Sequence, residues 1–417
     1  MCSREMKDSG IEWIGYVPNE WYLEKLKNLY SFEKGKNAAL YTQEYIGTHK
    51  GEYPVYSGQT ENDGIMGNID TYDYEENECL FTTTVGAKVM TPRVIKGKFS
   101  LSQNCLIMKS NNNSSIKFIY YMLNPLFNYE KSLIPAYMQP SLRVSDLRRY
   151  QFYVPNIEEQ QQIVNYLDKK VSQIDDIISK QKSLIEKYKA YKQSLITETV
   201  TKGLNKNVPM KDSGIEWNRE IPVHWNVIQS KNLFSQRKDR AKEGERQLTA
   251  SQKYGVIYQD EYMKLENQKV VTVDKGADIL KQVEPNDFVI SMRSFQGGLE
   301  YSSLSGSISS AYVMLIPNKK VYPPYFRWLF KSIKYINALQ STSNLVRDGQ
   351  AMRYSNFKQI PLFEIPIEEQ QEIAEFLDNR CKSIDSVISK KEQLIEKLES
   401  YKKSLIYECV TGKRVVN

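Results

Sequence analysis

The sequence predicts an α/β (α+β) protein built twice. Two duplicated variable domains are joined by two long antiparallel coiled-coil helices, in a pseudo-two-fold, circular organisation. Three observations predict this. The octapeptide Met6-Lys-Asp-Ser-Gly-Ile-Glu-Trp13 recurs unchanged as Met210 to Trp217. Residues Ile157–Thr201 align with Ile367–Thr411 at a shift of 210, with 25 of 45 pairs identical. Between these blocks the two halves diverge almost completely, so a constant frame carries a changing insert.

The boundaries follow from the repeats: 1–156 a first variable domain with its constant block, 157–203 a long helix, 204–366 a second variable domain, and 367–417 a second helix. At 41% hydrophobic and 26% charged residues in 417, there is ample material for packed cores. No apolar run is long enough for a membrane span, and the N-terminus lacks an apolar signal region, so a cytoplasmic location is expected. Five cysteines (Cys2, Cys79, Cys105, Cys381, Cys409) show no paired spacing, and with only His49 and His224 present no zinc motif appears. Unpaired thiols in a reducing compartment are expected.

The net charge of +7 is unevenly spread. Residues 158–203 carry eight Lys/Arg against seven Asp/Glu, and 368–417 carry nine against ten, so the remaining residues hold the whole excess. A basic excess in the variable segments is consistent with a polyanionic target.

From Glu158 to about Val200 there is no Gly or Pro, while Pro155 precedes and Gly203 follows as start and stop signals. Apolar residues recur at heptad spacing in two adjacent stripes: Leu167, Ile174, Tyr188, Leu195, and Val171, Ile178, Ile185. The second copy repeats them at Leu377, Ile384, Leu398, Leu405, and at Cys381, Ile388, Ile395. Side-by-side heptad stripes make a coiled-coil seam, and a helix of about 65 Å cannot bury such a seam alone. Pairing of the two copies is expected. The order of blocks is circular, since what would follow Val410 in the cycle is the block at Met6.

Residues 22–150 and 226–360 read as mixed α/β. Strands are expected at Glu78–Val85 and Phe99–Met108, separated by the loop 86–97, and at Lys269–Val273, Asp287–Arg293 and Ala311–Ile316. Helices are expected at Ile116–Leu123 and Pro324–Leu339. In the first insert the polar and aromatic types that contact nucleic acid are Thr83, Thr84, Lys88, Arg93, Gln103, Asn104, Tyr137, Gln139 and Arg143. In the second they are Gln252, Lys253, Tyr254, Arg293, Ser294, Gln296, Ser309, Tyr312, Gln350 and Arg353. Arg can bond guanine bidentately, Asn or Gln can bond adenine, and Ser, Thr and Lys can hold phosphates. Arg143 and Arg353 stand out because they coincide at the 210 shift within otherwise divergent inserts; a shared structural ion pair would explain that as well.

Catalytic motifs are missing. There is no GxxxxGK[ST] phosphate loop, no glycine-rich dinucleotide turn, and no nucleophile–base arrangement around either histidine. Gly297-Gly298 reads as a tight loop. Glu158-Glu159 and Glu368-Glu369 begin helices, where they complement the helix dipole. A binding protein without its own active site is expected, with no metal.

Two further repeats reach a known family. Val17-Pro-Asn-Glu-Trp21 and Ile221-Pro-Val-His-Trp225, together with Pro155-Asn-Ile-Glu-Glu-Gln-Gln161 and Pro366-Ile-Glu-Glu-Gln-Gln371, resemble type I restriction–modification specificity subunits over the whole chain. The resemblance implies a non-catalytic subunit of a complex for adenine methylation and ATP-dependent DNA cleavage. Its partners would be double-stranded DNA, two methyltransferase subunits and two restriction subunits, with no membrane. No cofactor belongs to this chain; S-adenosylmethionine, ATP and Mg would sit in the partners. Each variable domain would read one half of a split site, and the helices would set the gap. The constant blocks and helix surfaces would dock partners, with Trp13, Trp21, Trp217 and Trp225 as candidates; cores of the variable domains are the alternative. Two rival readings remain: a duplicated coiled-coil scaffold that binds two proteins and no DNA, and a self-contained nuclease or methyltransferase.

Overall fold

The computed structural model describes residues 4–59, 62–86, 88–111, 114–268, 279–291, 294–342 and 353–416. Its contacts divide the chain into two units: Met1–Gln181 with Glu392–Asn417, and Lys182–Lys391. The division falls within the long helices, Ile157–Lys202 and Ile367–Val410, so each unit contains the start of one helix and the end of the other.

Both units share one frame. In the first, strands Met6–Asp8 and Tyr16–Pro18 form an antiparallel ribbon around the repeated octapeptide. In the second, Met210–Asp212 and Glu220–Pro222 do the same. Within each turn the Asp carboxylate accepts from a glycine N–H two residues on (Gly10 to Asp8, 3.0 Å; Gly214 to Asp212, 2.9 Å), an Asx turn with the glycine at positive φ. A second ribbon brackets each insert. Tyr22–Lys25 pairs with Gln151–Val154, and Asn226–Gln229 pairs with Pro361–Glu364.

The first insert builds a six-stranded sheet in the order Tyr30–Lys34, Cys105–Ser110, Tyr74–Thr83, Arg93–Leu101, Lys50–Tyr56, Ile65–Ile69. All pairs are antiparallel except Lys50–Tyr56 with Arg93–Leu101. The expected strand Phe99–Met108 is two strands, both antiparallel to Tyr74–Thr83 on its opposite edges, interrupted at the turn where Asn104 takes a left-handed conformation (φ 63°). Arg93–Gly97, expected in a loop, is strand. The expected helix at Ile116–Leu123 continues through Pro125 to Ser132. Burial of Leu126 and Phe127 beyond the proline outweighs its cost of about 3 kcal/mol.

The second insert has a four-stranded sheet, Phe234–Gln236, Val313–Pro317, Phe288–Ile290, Glu300–Tyr301, and two ribbons, Leu248–Ser251 with Gly255–Tyr258 and Lys281–Val283 with Gly306–Ile308. The expected strand at Lys269–Val273 lies outside the described residues. Expected helix Pro324–Leu339 is two, Pro323–Leu329 and Ile333–Ser341, broken where Ser332 caps the second by accepting from Tyr335 N–H.

Each unit pairs its two helix segments antiparallel. In the first, Lys402 bonds Asp175 at 2.5 Å and Arg414 bonds the Tyr166 hydroxyl at 3.2 Å. In the second, Lys192 bonds Asp385 at 2.6 Å, and Lys391 lies 5.9 Å from the Tyr188 ring. Of the seam, Leu167, Ile174, Ile178, Ile185, Leu377, Cys381, Ile384, Ile388, Ile395 and Leu405 are buried, while Val171, Tyr188, Leu195 and Leu398 are half-buried. No helix among the described residues is long and apolar enough to cross a membrane.

Candidate nucleic-acid interface

In the first unit the strand Tyr74–Thr83 delivers a polar run to one end of the sheet. Thr83 is buried, and its hydroxyl has no hydrogen-bond partner among the described residues. Thr84 is a backbone hub: its N–H donates to Asn104 O and its carbonyl accepts from Leu142 N–H, each at 2.8 Å. A bridge between Val85 and Ser141 extends the second contact. Three segments far apart in sequence, 83–92, 102–104 and 137–143, therefore meet. Gln103, Asn104, Tyr137, Gln139 and Arg143 are exposed there, and Lys88 is half-buried in the first segment.

Arg93 is held elsewhere. Its guanidinium bonds the Asp63 carbonyl and pairs with the Asp63 carboxylate at 3.2 Å.

Arg143 and Arg353 occupy the same structural position. Each precedes a short helix, and its backbone N–H is accepted by the side chain three residues on (Asp146 at 2.9 Å, Asn356 at 3.0 Å). Both side chains are exposed, and neither forms an ion pair among the described residues. The shared feature is thus a helix start that carries an exposed arginine.

The second unit gathers fewer of the expected residues. Gln252, Lys253 and Tyr254 form the turn of the ribbon Leu248–Tyr258, and the Gln252 side chain packs over Gly297, next to exposed Gln296. Lys253 pairs with Glu266 at 2.8 Å and the Tyr254 hydroxyl donates to the same carboxylate at 2.6 Å, so both are engaged within the protein. Ser294 is buried, its hydroxyl accepting from Ser291 N–H at 2.8 Å. Ser309 shapes the turn to Tyr312, whose carbonyl accepts from Lys281, and whose ring packs on the Leu248/Met314 core. Arg293 and Gln350 lie outside the described residues.

Each insert is tied to the start of a long helix at corresponding positions. Lys117 pairs with Asp168 at 2.6 Å, and Arg327 pairs with Asp378. Beside each pair lies a cleft, about 520 Å³ in the first unit and about 680 Å³ in the second. The second contains the buried Glu300, whose carboxyl burial pushes up while Lys331 opposes the shift. Among the described residues no three His, Cys, Asp or Glu side chains gather as metal ligands.

The tryptophans separate into two kinds. Trp21 and Trp225 are buried, so their place is the core and not a docking face. Trp13 is half-exposed, and Trp217 is half-buried with its indole N–H on Pro361 O at 3.1 Å. A different apolar set is exposed. Ile177, Leu184 and Tyr191 are spaced by seven on the first long helix, and Leu394 and Tyr401 match Leu184 and Tyr191 at the 210 shift on the second. Ile177, Leu184 and Leu394 lie one residue before the seam positions Ile178, Ile185 and Ile395, on its flank, and Tyr191 and Tyr401 follow Leu184 and Leu394 by seven. In the first unit the Asp175–Lys402 register brings Ile177 to the level of Tyr401. In the second, the Lys192–Asp385 register brings Tyr191 to the level of half-buried Val387. In an antiparallel pair these flanking positions of the two helices adjoin each other.

A family profile described as the type I restriction modification DNA specificity domain matches residues 18–187. The putative type I restriction enzyme MjaX specificity subunit of Methanocaldococcus jannaschii is 24% identical, over 96% of this chain and 95% of its own length. A putative type I specificity subunit of Mycoplasma pneumoniae is 25% identical over 85% and 87%. Among solved structures, a chain from a study of complex assembly and conformational transition in the type I R-M system matches with a TM-score of 0.67 at 11% identity, covering 95% of this chain and 99% of that one. The HsdS subunit from Thermoanaerobacter tengcongensis matches with a TM-score of 0.50 at 10% identity, covering 98% and 100%. At such identities the solved structures speak for the fold.

Proposed function

We propose that this chain is a type I restriction–modification specificity subunit, in which each insert reads one half of a bipartite double-stranded DNA site while the constant frame holds the partner subunits. The observation that carries this reading is the ribbon closing each insert. Tyr22 pairs with Val154 and Asn226 with Glu364, so the incoming and outgoing strands of each insert lie side by side on a repeated frame. An insert mounted in this way can change its target without disturbing the frame.

In the first unit the polar surface at Gln103, Asn104, Gln139 and Arg143 faces the DNA; in the second, Gln296 and Arg353 do. Phosphate contacts fix position and base-edge contacts fix sequence. The exposed flank residues Leu184 and Tyr191 in the second unit and Leu394 and Tyr401 in the first dock two methyltransferase subunits, and two restriction subunits complete the complex. Those partners bring S-adenosylmethionine, ATP and Mg, and this chain supplies recognition with no chemistry of its own. Methylation requires the target adenine to leave the base stack, a step of the methyltransferase. The long helices set the gap between half-sites: one helical turn, about 5.4 Å, corresponds to roughly one and a half base pairs.

The test is an exchange of residues 22–150 for the corresponding insert of another family member, read out as the methylated motif. One half of the motif changes and the other half stays. A change in both halves, or in neither, contradicts independent reading.

A further inference from the structure

We propose that Tyr137 and Met138 form an apolar wedge that enters between two adjacent base pairs of the half-site read by the first unit and unstacks them. This rests on the DNA reading above and adds a distortion of the target to it.

Tyr137 is 88% exposed and Met138 54% exposed, and Leu133 in the same loop is 60% exposed. No other large hydrophobic residue among those described is as exposed as Tyr137. Isolated exposed apolar residues are common, but a cluster of large ones on a projecting loop marks a contact surface. The loop is pre-ordered. Met138 N–H closes a turn on Pro135 O at 2.9 Å, Ile134 N–H bonds Lys131 O at 3.2 Å, and prolines 135 and 140 restrict the backbone on either side. Beyond it, the Leu142–Thr84 bond and the Val85–Ser141 bridge fasten the loop to the sheet end. Little conformational entropy is therefore lost when the tip is inserted.

Its surroundings fit a nucleic acid rather than an apolar protein groove. Exposed Gln139 and Arg143 follow directly, Gln103 and Asn104 lie on the adjoining turn, and Arg148 is exposed on the short helix behind. An aromatic ring and a thioether side by side offer one group to stack on a base and one to fill the opened step, as apolar wedges do in architectural proteins. Pyrimidine–purine steps unstack most readily, so the first half-site should contain one at the wedge. The 210 shift places Arg347 and Asp348 at the corresponding positions of the second copy, outside the described residues. The wedge therefore belongs to one half-site only.

The experiment uses the chain bound to its methyltransferase subunits without S-adenosylmethionine. Duplexes carrying the mapped site have 2-aminopurine placed in turn at each position of the first half-site except the methylated base. Wild-type protein should raise fluorescence at one step. Tyr137→Ala and Met138→Ala should lose that rise, and Tyr137→Trp should retain it. Binding should keep its salt dependence in all three, because phosphate contacts are untouched. A rise that persists in both alanine variants overturns the wedge, as does a wild-type complex that binds the site with no rise anywhere. Absence of sequence-specific binding by the wild type would instead overturn the DNA reading itself, and the wedge with it.

Discussion

The indole nitrogen of Trp21 donates to the Glu159 carboxylate at 3.2 Å, and that of Trp225 donates to Glu369 at 3.0 Å. This contact joins two repeated motifs, the Pro-x-x-Trp of the frame and the Glu-Glu-Gln that begins each long helix. Arg4 adds a two-pronged ion pair to Glu159 (2.7 and 3.0 Å), and His224 adds a bond to Glu369 at 2.8 Å. The glycine ending the other helix packs on the same ring: Gly412 on Trp21 and Gly203 on Trp225, where a Cβ would approach the ring to 3.1 and 3.6 Å. Each tryptophan thus fastens the start of one helix to the end of the other. Trp225→Ala should destabilise the protein by about 3–5 kcal/mol, and Glu369→Ala by about 1–3 kcal/mol through the unpaired indole N–H. Urea denaturation of each variant measures this. Losses under about 0.5 kcal/mol would contradict the role.

The helix-flank stripe should separate docking from folding. Tyr191→Ala and Tyr401→Ala remove exposed side chains, so stability should change by no more than about 0.5 kcal/mol. Affinity for the methyltransferase subunit should fall about tenfold or more, as for an aromatic anchor. Titration by calorimetry decides it, and unchanged affinity in the double variant would place the docking surface elsewhere.

Arg143→Ala should weaken binding to the specific site by about 1–3 kcal/mol and relax the first half-site only. Fluorescence anisotropy against a panel of single-base variants reads both effects. Equal loss across all sequences would make Arg143 a phosphate contact.

The repeated architecture was legible because it rests on local signals. Heptad stripes, proline starts and glycine stops need no tertiary knowledge: the first long helix, expected over 157–203, runs Ile157–Lys202, while the second, expected over 367–417, ends at Val410 just before Gly412. The strands were less legible. Phe99–Met108 carries no proline or glycine, and only the left-handed Asn104 reveals the turn within it. At the site, Arg93 and Lys253 looked like free cations because their partners, Asp63 and Glu266, are brought to them by the fold. The Trp21–Glu159 contact spans 138 residues, and no spacing rule connects the two. The flank stripe did carry a signal, the seven-residue recurrence of Ile177, Leu184 and Tyr191. It was hidden beside a stronger seam of the same period.

The four described cysteines should be inert in the native protein. Burial pushes the Cys79 and Cys409 thiols up to about 12 and those of Cys105 and Cys381 up to about 11. At pH 8 they remain protonated as well as shielded, and the thiolate is the reactive form. Iodoacetamide at that pH should alkylate none of the four before unfolding and all four in urea, as read by mass spectrometry. Labelling of any one at the unfolded rate would contradict its burial.

Co-expression with the methyltransferase subunit of the same locus, followed by genome-wide mapping of methylated adenine, tests the central claim most directly. The account predicts a split motif with two unrelated halves, matching the two divergent inserts, separated by a fixed gap. A stable complex that methylates a continuous motif, or that methylates without sequence preference, would contradict it.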